Sequence, residues 1–266
     1  FKVLEDTQTA YEESAEGKLV AAFISANKPY IPSEYEDLST YSKHLKSHYL
    51  TQIDFNDYLL QSSSFLVDRV STYVFDIVQD PTDTIYKHHV DDVVTAIGDK
   101  DLTIKASLLY NIWQQFTQEN NHQLANYIAD KYLLDIAKRT DNKVLAETLT
   151  TYKNTSIGTM APNFKIEQNG TTTNLHALSG AEHYLLIFWS SGCSHCLEEL
   201  PKVKELTANN PNLKVIAYAL ENNDMKWSEE IKKYNNFIHV IGLGKWENQI
   251  VQTYGIAATP TYFFLN

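Results

Sequence analysis

Cysteine is scarce and basic residues are outnumbered. Of 266 residues two are Cys, and 22 Lys and Arg face 33 Asp and Glu. Two cysteines cannot build the multi-bridge framework of a small secreted protein. A net charge of -11 leaves no basic face for a phosphate backbone, so nucleic acid is excluded as a partner. No apolar run approaches the roughly 18 residues of a membrane span. The longest strongly apolar stretch, YLLIFW at 184–189, has the length of a strand, so a chain that does not span the membrane is expected. No secretory leader is visible and the first residue is Phe1, not Met. A processed form whose targeting signal has been removed is therefore expected.

What remains is core material. Hydrophobic residues make up 43% and charged residues 21%, with 17 Tyr, which suits a soluble chain of about two domains. Residues 1–155 read as helices. Leu102, Ala106, Leu109, Ile112, Trp113 and Phe116 fall at 3–4 spacing over 101–119. Leu124, Ile128, Tyr132 and Ile136 form one row over 122–138, and Ala125, Ala129 and Leu133 the next. DPTDT at 80–84 is a helix start and Gly98-Asp99 a stop. Further helices are expected near 6–26, 34–48, 62–78 and 142–153. The layout is loosely that of a stacked helical-hairpin array, without a repeat signature. Trp113 and the Tyr residues of this half are expected in the core. His88-His89 with Asp91-Asp92 reads as a solvated helix face, because adjacent helical side chains diverge. His44 and His48, one turn apart, lack the Glu of a zinc-protease helix, and no metal site is expected.

After Ser156 the rhythm becomes strand-helix. MAPNFKIEQ (160–168) reads as an extended lead-in. YLLIFW and LKVIAYAL (213–220) read as buried strands, with HVIGL (239–243) and TYFFL (261–265) as shorter ones. Helices are expected over 193–209, interrupted by Pro201, over 225–234, and over 246–255 ending at Gly255. Apolar strands alternating with helices imply an α/β sheet with parallel pairing.

Both cysteines lie in WSSGCSHCLEELP (189–201). A reactive thiol must be a thiolate. The free value of about 8.5 falls to about 3.5–7.5 at a helix N-terminus or beside a cation. Ser190 and Ser191 are capping types and Gly192 permits a tight turn, which puts Cys193 at the first helical turn. Cys196 stands one turn on, placed to attack a mixed disulfide on Cys193. His195 between them can add positive charge or a hydrogen bond. A zinc site is disfavoured, since His195 beside Cys196 gives a poor bite and further ligands are lacking.

Phe188-Trp189-x-x-x-Cys193-x-x-Cys196, with Ala258-Thr259-Pro260-Thr261 further on, resembles the thioredoxin fold. The resemblance is to the TlpA/ResA-type thiol-disulfide oxidoreductases, related to the alkyl hydroperoxide reductase/thiol-specific antioxidant family. Gly158-x-x-Ala161-Pro162-x-Phe164 and Glu199-Leu200-Pro201 match that family's opening and post-cysteine motifs. The likeness covers 156–266. The helical half, with IDFNDYLLQSSSF, resembles N-terminal extensions of Bacteroidetes envelope proteins. The resemblance implies an α/β thioredoxin-like domain after an all-α domain. It makes Cys193 the nucleophile, Cys196 the resolving thiol and Glu199 a proton acceptor. Pro260 becomes the cis-proline, with Trp189, His195 and Thr259 on the substrate side. It implies no cofactor beyond the Cys193–Cys196 disulfide. It implies protein thiol or disulfide substrates, a membrane or soluble redox partner, and a place in the periplasm or cell envelope. Three departures stand out. Gly192 replaces a common Trp. Ile187 replaces a common buried Asp or Asn. The chain stops at Asn266, so the last strand and helix of the fold are expected to be missing.

Two other functions compete. A peroxiredoxin-like peroxidase would use Ser190 to orient peroxide, although 186–192 holds no proline. A non-enzymatic binding module would work through residues 1–155 and would survive Cys193→Ser.

Overall fold

The computed structural model describes residues 1–78, 80–168 and 170–266. The chain divides into two compact units, Phe1–Leu149 and Thr150–Asn266.

The first unit is helical: α1 (Lys2–Ala15), α2 (Ala21–Ala26), α3 (Leu38–His48), α4 (Tyr58–Gln61), α5 (Phe65–Ser71), α6 (Asp83–Ile97), α7 (Leu102–Gln118), α8 (His122–Ile128), α9 (Leu134–Arg139) and α10 (Lys143–Thr155). Side chains cap the starts as the sequence requires. Thr82 accepts the Ile85 N–H ahead of α6, and Asp101 accepts those of Thr103 and Ile104 ahead of α7. Gly98, at φ 68°, closes α6. The helix expected over 6–26 is broken between α1 and α2, where Gly17 takes φ 73°. The helices expected over 62–78 and 122–138 each contain one π-type turn, Thr72–Asp76 and Ala129–Leu133. Gln79, just past the first of these, lies outside the described residues.

The reading of His89 as solvated is corrected. His88 is exposed, but His89 is fully buried. It stands in an i,i+4 row with Val93 and Ile97, both core residues. Its Nδ1 lies 3.0 Å from the Val74 carbonyl inside the π turn, so the ring supplies the partner that the irregular helix leaves wanting. Facing a carbonyl, which can only accept, Nδ1 is the ring nitrogen that carries the proton. Nearby, Asp91 accepts hydrogen bonds from Tyr127 (2.6 Å), Tyr132 (2.5 Å) and Lys131 (2.9 Å), tying α6 to the second π turn. His44 and His48 are spent on Glu36, at 2.6 Å, and on the His44 carbonyl, at 2.8 Å.

The second unit has two sheets. β1 (Lys165–Gln168) and β2 (Thr171–Asn174) form an antiparallel hairpin. β3 (His183–Trp189), β4 (Leu213–Glu221), β5 (Ile238–Leu243) and β6 (Thr261–Leu265) form a sheet in the order β5-β4-β3-β6. β3, β4 and β5 are parallel, as the strand-helix alternation requires. The expectation of parallel pairing fails at β6, which runs antiparallel to β3 and forms an edge. Tyr262 and Phe264 pair in register with Ile187 and Leu185 and are 40% and 64% exposed. β2 was not anticipated, because TTTN carries no apolar alternation.

Each face of the sheet has its own core. Phe164, Leu186, Phe188, Tyr218 and Tyr254 fill one side. Ile187, Trp189, Leu200, Val203 and Phe237 fill the other with α11 (Ser194–Thr207). Pro201 does not interrupt α11; the helix runs on through it. The expected 225–234 helix is α12 (Met225–Glu230) and a 3₁₀ turn, and α13 (Gln249–Thr253) ends just before Gly255, at φ 62°. Asn154 of α10 reaches the Thr253 carbonyl at 3.5 Å, so the end of that helix belongs with the sheet.

Burial holds the His89 imidazole below its ordinary value. Below the unfolded value of about 6.5 the unfolded chain takes a proton that the folded chain refuses. Stability contributed by the neutral ring is therefore present above that value and lost as pH falls. Thermal unfolding followed by circular dichroism is expected to show the helical transition dropping between pH 7 and 5. His89→Asn, which retains a donor, should flatten that slope, with about 2–4 °C of midpoint for each kcal/mol removed. An unchanged slope would contradict the assignment.

Candidate functional site

β3 ends at Trp189, and the chain turns through Ser190, Ser191 and Gly192 into α11. The expected capping by Ser190 and Ser191 is corrected. Ser190 builds the turn: its carbonyl accepts the Cys193 N–H at 3.0 Å and its Oγ accepts the Gly192 N–H at 3.3 Å. Cys193 itself is the N-cap of α11, its Sγ accepting the Cys196 N–H at 3.2 Å. The Cys196 amide at the helix start therefore points at the nucleophile's sulfur, the placement that favours a thiolate.

Cys193 and Cys196 form a disulfide, with their Cα atoms 5.3 Å apart. Cys196 is fully buried in the core beside α11, while Cys193 is half-buried at the rim. Thr259 and Pro260 are joined by a cis peptide bond. The Thr259 carbonyl oxygen lies 3.5 Å from Cys193 Sγ, so the structure brings together the two motifs that stand 66 residues apart. His195 is exposed on the first turn of α11.

Two expected residues behave differently. Trp189 is corrected as a substrate contact: its side chain is wholly buried among Ile187, Cys196 and Leu200, and no atom of it meets solvent. Glu199 is half-buried and pairs with Lys202 at 2.8 Å. Burial and then the Glu199 charge raise the Tyr262 phenol of β6. One residue escaped the sequence reading. Glu221 at the end of β4 is buried, and its Oε1 accepts the Ser191 N–H at 2.5 Å.

The opening motif has a structural part. The Tyr254 hydroxyl donates to the Pro162 carbonyl at 2.6 Å, and the Phe164 ring packs edge-on against Tyr218 at 5.2 Å. These contacts fasten the lead-in to the face of the sheet opposite the disulfide.

A parallel β3-β4-β5 sheet, a dithiol at the start of the helix after β3 and a cis-proline loop against it define a thioredoxin-like domain. The Redoxin family model matches residues 156–266, and this part of the chain is similar to the ResA thiol-disulfide oxidoreductases. The thiol-disulfide oxidoreductase ResA of Bacillus thuringiensis subsp. konkukian is 29% identical over 114 residues, which are 41% of this chain and 64% of that protein. ResA of Bacillus anthracis gives the same identity and coverage. The chain thus spans under two thirds of the length of the curated relatives it matches. Among solved structures, a thioredoxin-like protein from Bacteroides caccae covers 90% of this chain and 89% of its own, at 18% identity and TM-score 0.42. A domain of a possible thiol-disulfide isomerase from Cytophaga hutchinsonii covers 41% of this chain and 76% of its own, at 30% identity and TM-score 0.36.

The burial difference between the two sulfurs predicts their reactivity. In the reduced protein at pH 7, iodoacetamide should label Cys193 at least tenfold faster than Cys196, read by peptide mass spectrometry. Equal labelling would contradict the placement.

Proposed function

We propose that the chain is a thiol-disulfide oxidoreductase acting on protein thiols and disulfides through Cys193. The observation that carries this reading is the Cys193–Cys196 disulfide, with the outer sulfur at the α11 N-terminus and against the Thr259 main chain.

The Cys193 thiolate attacks one sulfur of a substrate disulfide. The substrate S–S bond breaks, a mixed disulfide forms and one substrate thiolate leaves. Cys196, once deprotonated, attacks Cys193 Sγ and releases the second substrate thiolate. Two electrons pass to the substrate, whose thiolates take protons from solvent, and the Cys193–Cys196 bond is restored. A dithiol partner protein, membrane-bound or soluble, reduces it again by the same steps in reverse.

The parts divide the work. The Cys196 amide at the start of α11 stabilises the attacking sulfur. The Thr259 main chain offers an extended peptide a place to pair beside that sulfur. His195, on the exposed first turn, is the side chain placed to meet a partner. Glu199 is the acid of this helix proposed to take the Cys196 proton. No cofactor beyond the dithiol is required by these steps. The family likeness supports a place in the periplasm or cell envelope, and no helix among the described residues is long and apolar enough to cross a membrane.

The mechanism is tested by trapping. Cys196→Ser, incubated with an oxidised protein substrate such as insulin, should accumulate a mixed disulfide at Cys193 that thiol reductant releases. Cys193→Ser should trap none. Trapping by Cys193→Ser, or by neither variant, would contradict the assigned roles. Peroxide consumption without disulfide exchange would favour the peroxidase chemistry instead.

A further inference from the structure

Glu221 is the last residue of β4 and is 6% exposed. A carboxylate removed from water needs a compensating partner. Its Oε1 accepts the Ser191 N–H at 2.5 Å, and its own carbonyl accepts the Gly244 N–H at 3.0 Å. The strand register pairs Ile187 with Ala217 and Trp189 with Ala219. Alternation along β4 then puts residue 221 on that same face, the one occupied by Trp189 and Cys196. The carboxylate therefore lies on the disulfide's side of the sheet, bonded to the turn two residues before the nucleophile. The partner that the turn offers this side chain is the Ser191 amide, a hydrogen bond that brings no positive charge.

We propose that Glu221 is a positioning residue of the dithiol site. It pins the Ser190–Gly192 turn that presents Cys193, and its charge disfavours the Cys193 thiolate and so holds the disulfide toward its oxidised form. A thiolate weakened by a like charge destabilises the dithiol, and the pair becomes a stronger reductant. This inference rests on the exchange chemistry proposed above.

The test separates charge from scaffold. E221Q keeps an oxygen for the Ser191 N–H and removes the charge. E221D retains the charge on a shorter chain. The full chain and each variant are equilibrated in glutathione buffers at pH 7, and the iodoacetamide rate at Cys193 is measured on the reduced forms. E221Q is expected to shift the equilibrium about tenfold toward the dithiol, which is about 30 mV for a two-electron couple, with a several-fold faster alkylation. E221D should stay within threefold of the unaltered protein. If E221Q fails to fold by circular dichroism, E221L removes the charge with an apolar side chain of similar volume, and the same shift is expected. A reversible disulfide whose potential and alkylation rate do not move in either variant would overturn the role of Glu221 and leave the exchange standing. Absence of any reversible disulfide in the unaltered protein would overturn the exchange itself.

Discussion

The parallel pairing of β3 with β4 is the constraint on which the redox site depends. Parallel strands finish at the same edge of a sheet, so the turn after Trp189 and the end of β4 are forced side by side. That adjacency lets Glu221 hold the Ser191 amide. The turn in turn fixes where α11 begins, and Cys193 becomes its N-cap. β6 then returns antiparallel along β3, which carries the Thr259 carbonyl to the nucleophile's sulfur. Each contact at the disulfide is a consequence of where strands end, and the two cores behind the sheet hold those ends in place.

The helical unit solves a different problem. Its long helices are not perfectly regular, and each π turn disturbs the run of carbonyl-amide bonds. Polar groups that would be costly inside a core answer that irregularity. His89 serves the Val74 carbonyl, and Asp91 gathers Tyr127, Tyr132 and Lys131 around the second turn. A buried group bonded in this way specifies one arrangement of α6 against its neighbours, because any slip leaves it unpaired.

Much of this was legible in the sequence. The apolar runs 184–189 and 213–220 are strands because only a strand of that length buries both its faces. The dithiol and the Thr259-Pro260 step were joined into one site by the resemblance to the thioredoxin fold, and not by anything in their spacing. The failures share a physical cause, which is that burial is a property of neighbours. The resemblance puts Trp189 on the substrate side, but strand alternation turns it into the α11 core. Glu221 reads as a polar strand end until the β3 register sets it beside Ser191. His89 did carry a signal: the row His89, Val93 and Ile97 has helical spacing, and the charged pair beside it masked that row. The run of α11 through Pro201 was missed because tertiary burial of Leu200 and Val203 outweighs the one lost hydrogen bond.

The most direct test of the account is a glutathione redox titration of the full chain at pH 7, with thiol content read by mass. The account predicts a single reversible two-electron transition at Cys193–Cys196, with a potential toward the reducing end, near the value of about -270 mV that marks thioredoxin. A pair that stays fully oxidised or fully reduced across all buffers would contradict it, and would leave the helical unit as the part of the chain that carries the function.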